Sequence, residues 1–271
     1  MPTFDGTEAR IHYDRFGEGP DLVWVAGGGS AGSDWHHYQM PYFRGAGLRS
    51  TTFDNRGIGH TTCEVPMPWP IEAFAHDTVE LIEGLCEPPV ALVGWSLGAA
   101  IVQQVCIDRP DLVRVAVVMG TGAWSTGWGW DYQEAEIEFR RAGGRLDGMM
   151  GVTHYAAMLY PARVLGDREL WPKLRRHLEA WMDSGENETS LIPQWETSLN
   201  YDQREALASV HVPMHVLAFA EDVEAPPQDG EELAQLVPGA RFHLFEGMGH
   251  GSWLGHAHEI LNPFIANLVR P

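Results

Sequence analysis

Positive charge is scarce in this chain of 271 residues: Lys173 is its only lysine, and 18 basic residues face 37 acidic ones for a formal charge of −19. Such a surface repels phosphate backbones and anionic lipid, which argues against a nucleic-acid or membrane partner. Cysteine is also scarce. Cys63, Cys86 and Cys106 are odd in number and stand at no metal-ligand spacing, so a disulfide framework is not expected and a reducing compartment is. Apolar residues nowhere run to the length of a membrane span, and the stretch 1–20 has neither a basic nor an apolar segment of signal-peptide type. The expectation is a soluble, cytoplasmic protein, monomer or homodimer. What the chain does have is the 44% hydrophobic and 20% charged make-up of a globular protein, and eleven tryptophans, which is high for its length.

Short apolar runs bounded by turn residues alternate with helix-length segments. The runs are Leu22 to Ala26, Arg49 to Asp54, Val90 to Trp95, Val113 to Gly120, Val212 to Ala220 and Ala240 to Phe245. Continuous rather than alternating hydrophobicity marks strands buried on both faces of a parallel sheet. Glu8 to Tyr13 alternates instead and reads as an edge hairpin. Helices are expected at Pro70 to Leu85, Ser96 to Arg109 and Asp229 to Leu236, giving an α/β fold with a mostly parallel, doubly wound sheet. The alternation breaks between Trp124 and Ala208. That stretch has no strand-like run, shows helical periodicity around Gln133 to Arg141, Glu169 to Met182 and Asp202 to Leu207, and carries six of the tryptophans. The division is therefore a core of residues 1–123 and 209–271 with a helical insertion at 124–208, placed to cover the carboxyl edge of the sheet where ligands of such folds bind. Six tryptophans in one excursion predict an aromatic-lined cavity, with Trp95, Trp124 and Trp128 as its expected lining.

Gly94-Trp95-Ser96-Leu97-Gly98 matches G-x-S-x-G, a weak signal alone in a chain with 30 glycines. Its context strengthens it, because an apolar run precedes it and a helix-like stretch from Ala99 to Val105 follows, so Ser96 falls where a strand turns abruptly into a helix. A serine hydroxyl needs a base to take its proton and a third group to orient that base. His250, in the loop after the last apolar run, is the expected base. His243 falls inside that run, and His256 and His258 are placed on the final helix as solvated residues. The orienting acid should end the preceding strand, where Asp222 is the first choice and Glu221 and Glu224 are alternatives. The end of the Val113 to Gly120 run offers no carboxylate.

With Ser96, Asp222 and His250 in this order, the chain resembles serine hydrolases of the α/β-hydrolase superfamily that carry a helical cap, and the resemblance spans nearly the whole sequence. Residues 25–35 after the first buried run are similar to that family's oxyanion loop, with Ala26 where a histidine usually stands. The resemblance implies an oxyanion hole built from the backbone N–H groups of Gly28, or else Gly29, and Leu97. It implies no metal or organic cofactor. Asp54 to His60 is similar to a structural turn of the family, with Arg56 expected to pair with a carboxylate and no catalytic role for His60. The expected reaction is cleavage of an ester or lactone of a neutral, hydrophobic small molecule through an acyl-enzyme, falling off at acid pH as His250 protonates. Thioester or C–C bond hydrolysis would use the same triad, and a ligand receptor that keeps the fold is the rival of another class. Ser96 argues against the epoxide hydrolases and haloalkane dehalogenases, which place Asp at that turn.

Overall fold

A computed structural model describes residues 1–183 and 191–271; residues 184–190, part of the expected insertion, lie outside the described residues. Nine strands form one sheet: β1 (Thr3–Asp5), β2 (Ala9–Phe16), β3 (Asp21–Val25), β4 (Arg49–Phe53), β5 (Thr62–Cys63), β6 (Val90–Trp95), β7 (Val113–Met119), β8 (Met214–Phe219) and β9 (Arg241–Phe245). Their order is β1-β2-β4-β3-β6-β7-β8-β9, with β5 paired to β2. From β4 to β9 the pairing is parallel, and the contacts of β2 with β1, β4 and β5 are antiparallel. All six expected strands are present, but β9 is not buried on both faces: it ends the sheet, and its residues are exposed or half-buried, Leu244 being 46% exposed. β8 begins at Met214 rather than Val212, since Pro213 has no N–H to give a ladder. The expected edge hairpin is present as the antiparallel pair β1–β2 at one end of the sheet, with the two-residue β5 also pairing to β2.

The parallel strands alternate between two buried faces. In β3, Val23 and Val25 face one cluster with β6 residues Val90 and Leu92; Leu22 and Trp24 face the other with Ala91 and Val93. Helices α1 (Met40–Phe43), α2 (Ile71–Leu85) and α3 (Leu97–Asp108) follow the first strands, and α3 is buried from Leu97 to Cys106. The first cluster takes in Phe74 and Leu81 of α2 and Val102 of α3, and the second takes in Met40 of α1. Between β7 and β8 lie α4 (Gly127–Arg141), α5 (Gly148–Leu159), α6 (Ala162–Leu165), α7 (Trp171–Asp183), α8 (Leu191–Asn200) and α9 (Arg204–Leu207). Helices α10 (Pro227–Leu236) and α11 (His258–Val269) complete the layers, with Leu233 joining the first cluster and Leu261 and Ile265 the second. The three expected helical periodicities fall in α4, α7 and α9. Helices α5 and α8 were not visible in the sequence, because Gly148 and Gly151 in one and Pro193 in the other mask the apolar spacing. The insert has a small core of its own, with Val152, Ala156, Tyr160, Val164, Leu174 and Leu178 packed between α5, α6 and α7. No helix among the described residues is long and apolar enough to cross a membrane.

Two histidine expectations need correction. His256 precedes α11 rather than sitting on it, is half-buried and contacts Ser252 Oγ at 3.3 Å; His258 is half-buried with its ring 4.7 Å from that of Tyr38. Packing of residues 36–40 against the loop 251–257 and the start of α11 covers the His258 ring, and Ser252 of the same loop holds His256, contacts that sequence spacing could not show. His243 sits in β9 as expected, its Nε2 3.0 Å from Nδ1 of His215.

Candidate active site

Ser96 has φ 54° and ψ −123° and is the only non-glycine residue with positive φ among the described residues. A side chain in that region stores strain, and such strain persists only where the surroundings enforce it. The surroundings here are two close approaches. A Cβ on Gly94 would lie 2.4 Å from the carbonyl oxygen of Gly98, and a Cβ on Gly98 would lie 2.2 Å from that of Val25. The two flanking glycines of the motif thus let the β6–α3 turn press against itself and against β3. The Ser96 N–H donates to Met119 O of β7 at 2.9 Å, which pins the turn to the next strand. Ser96 occupies the N-cap position of α3, yet its hydroxyl makes no capping bond and lines a cavity instead.

His250 lines the same cavity and is buried. Its Nδ1 lies 2.7 Å from Oδ2 of Asp222, the residue expected to orient it. The other carboxylate oxygen of Asp222 accepts the N–H groups of Glu224 and Ala225, both at 2.9 Å, so one side chain organises the histidine and its own loop. Behind the pair, Gly120 takes φ 56°, and a Cβ there would press on His250 Nδ1 and Asp222 Oδ2 at 3.2 and 3.3 Å. The two alternatives to Asp222 lie elsewhere. Glu221 is exposed and 3.7 Å from Arg163, whereas Glu224 places Oε2 3.9 Å from His250 Nε2, on the ring's other side. Burial pulls the His250 pKa down, but the carboxylates of Asp222 and Glu224 outweigh it and raise it to about 9. Burial likewise lifts Glu224 above the usual carboxylate range, with His250 opposing the shift.

Trp95 does more than line the pocket. Its indole N–H donates to the carbonyl of His250 at 2.8 Å, and its ring begins a buried chain of tryptophans: Trp95 to Trp253 at 5.0 Å, Trp253 to Trp35 at 4.1 Å, Trp35 to Trp24 at 5.0 Å between centroids. The histidine loop therefore rests on four aromatic rings of the core.

The glycine loop after β3 is clamped on both flanks. Asn55 Nδ2 donates to Ala26 O at 2.9 Å, a main-chain hold that needs no histidine at position 26. From α8, Gln194 Oε1 accepts the Gly29 N–H at 2.8 Å while its Nε2 donates to Arg56 O at 2.9 Å. The Gly29 N–H is thus engaged by Gln194, while Gly28 lines the cavity. Leu97, at the first turn of α3, lines the adjoining chamber with Ser96. Arg56 meets its expected carboxylate in Asp77, at 2.7 and 2.8 Å, and the His60 N–H serves the turn by donating to Asp54.

Two connected spaces meet at Ser96 and His250. The larger, about 840 Å³, is lined by Trp95, Trp181, Trp195, Leu159, Leu178 and Leu191, with Tyr132, Glu136 and Tyr155 on one wall. Glu136 is buried and accepts hydrogen bonds from Tyr132 and Tyr155 hydroxyls and from Arg140. The smaller, about 580 Å³, is more polar, with Thr121, Ser125, Thr126, Tyr201 and Asp229; burial and the neighbouring Glu232 and Asp222 raise the Asp229 pKa to about 6. Trp124 lines this second space, its ring under the Arg204 guanidinium at 4.0 Å. Trp128 is not a lining residue. It is 53% exposed and stacks on Tyr132 at 5.3 Å, because its place on α4 turns it away from the cavity, and Trp181 and Trp195 of the insert take the role assigned to it. Gln194, the Trp95 indole bond, Glu136 and the position of Glu224 were all missed in the sequence. Only Glu224 carried a signal, as one of the three acids of its loop.

A profile of the alpha/beta hydrolase family matches residues 22–262. A protein of Mycobacterium tuberculosis H37Rv described as "Putative non-heme bromoperoxidase BpoC" is 32% identical over 251 residues, covering 89% of this chain and 90% of its own. The pimeloyl-[acyl-carrier protein] methyl ester esterase of Methylococcus capsulatus is 26% identical over 263 residues, covering 95% and 99%. The crystal structure of BpoC superimposes with a TM-score of 0.89 at 29% identity, covering 96% of this chain and 97% of that one.

Proposed function

The chain belongs to the alpha/beta hydrolase family, and from that premise we propose that it is a serine hydrolase cleaving an ester or lactone of a neutral, hydrophobic small molecule through an acyl-enzyme on Ser96. The observation that carries the reading is one cavity holding a strained Ser96 and a His250 whose far nitrogen is fixed by Asp222. In this reading Ser96 Oγ adds to the carbonyl carbon as His250 Nε2 takes its proton, and the same proton passes to the leaving alcohol oxygen as the C–O bond breaks. Water then adds to the acyl carbon and the carboxylic acid departs. Asp222 holds the imidazole in one orientation and stabilises its cation. The N–H groups of Gly28 and Leu97 are the proposed oxyanion donors, each typically worth about 3–4 kcal/mol of barrier.

Segment 124–208 is read as a cap whose Trp181 and Trp195 meet the apolar part of the substrate. Ester cleavage is preferred over thioester or C–C cleavage because a relative covering nearly the whole chain is named a methyl ester esterase. No metal or organic cofactor enters the scheme. We place the protein in the cytoplasm, where three free cysteines are at home. The test is a panel of esters, lactones, thioesters and C–C substrates offered to wild type and Ser96→Ala. Cleavage of activated esters by wild type only is expected; an active Ser96→Ala, or a wild type that cleaves nothing and merely binds, would overturn the proposal in favour of another nucleophile or a receptor.

A further inference from the structure

Glu224 is a carboxylate on the Nε2 side of His250 that takes no part in the bond changes of the scheme above. It shares with Ser96 and His250 the walls of both chambers, so it borders the space where the second half of the reaction takes place. Its position is built. Its N–H is held by Asp222 Oδ1, and its carbonyl is backed by Gly129 of α4, where a Cβ would come within 2.3 Å of that oxygen. Among the described residues no arginine or lysine pairs with it, and its Oε2 lies 3.9 Å from His250 Nε2. That separation is too long for a direct hydrogen bond and suits one intervening water. Two hydrogen bonds of about 2.8 Å from one water oxygen span it at an angle of about 90°, close to the angle between the two O–H bonds of water.

We propose that Glu224 is a catalytic residue of deacylation that holds and orients the hydrolytic water against His250. The inference rests on the acyl-enzyme reading. In the step it describes, one hydrogen of the water goes to His250 Nε2 as the water oxygen bonds to the acyl carbon. The other hydrogen points to the Glu224 carboxylate and stays on the oxygen, leaving with the carboxylic acid. Collapse of the tetrahedral adduct breaks the bond to Ser96 Oγ, which recovers its proton from His250. Acylation uses the Ser96 hydroxyl and no water, so the two halves of the reaction depend on Glu224 to different degrees.

The experiment compares wild type, Glu224→Ala and Glu224→Gln with p-nitrophenyl butyrate, following turnover and, by intact-protein mass after an acid quench, the fraction of butyryl-Ser96. Glu224→Ala is expected to turn over more slowly by on the order of tenfold to a hundredfold, the worth of one charged hydrogen bond, while its acyl-enzyme accumulates above the wild-type level. Added formate, which supplies the missing carboxylate, or hydroxylamine, a nucleophile that needs no orienting base, should restore turnover. Glu224→Gln keeps the size of the side chain, guards against a folding defect, and should also accumulate acyl-enzyme. Variants with wild-type turnover and acyl-enzyme levels would overturn the role, as would slowed turnover with no rise in acyl-enzyme and no rescue. Failure of the underlying reading looks different: wild-type activity that survives Ser96→Ala and no butyryl group on Ser96 in any variant.

Discussion

The sheet core and the helical insert hold the same loops around Ser96 and His250 by different physical means. From the core side, the His250 loop lies on the tilted, edge-packed rings of Trp95, Trp253, Trp35 and Trp24, three of them with almost no exposed surface. From the insert side the holds are individual contacts, among them Leu159 O accepting the Gly251 N–H at 2.8 Å, Tyr160 Oη donating to Leu254 O at 3.1 Å, Gln194 gripping Gly29 and Gly129 backing Glu224. Area buried in the core stabilises the whole fold, because removing it leaves a cavity that the close-packed surroundings cannot refill. A lone hydrogen bond contributes little to the total but fixes the place of one atom. The core therefore sets whether the protein folds, and the insert adds local holds on the loops that carry Gly29, Glu224 and Gly251.

Substitutions on the two sides should separate these contributions. The larger effect on stability is expected from Trp35→Ala, about 3–5 kcal/mol less stable by denaturant unfolding, with kcat/KM of the folded fraction within a few-fold of wild type. A Trp35→Ala protein of normal stability would break the comparison. Gln194→Leu should cost less, about 1–3 kcal/mol, through the two lost hydrogen bonds to Gly29 N–H and Arg56 O, but should lower kcat/KM by roughly tenfold as the glycine loop loses its register. If instead Gln194→Leu leaves kcat/KM untouched, the insert is no more than a cover.

The meeting of Ser96, Asp222 and His250 around one cavity was readable because each is announced locally. Ser96 sits in a five-residue pattern between an apolar run and a helix, and Asp222 and His250 fall in loops whose order along the chain follows from the strand order. Strand positions were readable for the same reason, since burial on both faces produces continuous apolar runs. What escaped was long-range. Gln194 meets Gly29 across 165 positions, and the Trp95 indole meets His250 across 155, with no motif at either end. Counting tryptophans in the insert led to Trp128, whereas orientation on α4 decides its fate and turns it to solvent. The choice between Asp222 and Glu224 has a similar origin: adjacent turns of one loop put a carboxylate on each nitrogen of the same ring.

The central claim is that Ser96 is activated by a His250 that Asp222 orients. Its most direct test is the rate at which a fluorophosphonate modifies Ser96 as a function of pH, with the adduct located by peptide mass. An imidazole accepts the serine proton only when neutral, so with its pKa raised to about 9 the labelling rate should climb with pH through an apparent transition near 9, above the ordinary histidine range, and vanish in Ser96→Ala. Labelling elsewhere than Ser96, or a rate on Ser96 that stays flat between pH 5 and about 10, would contradict the account.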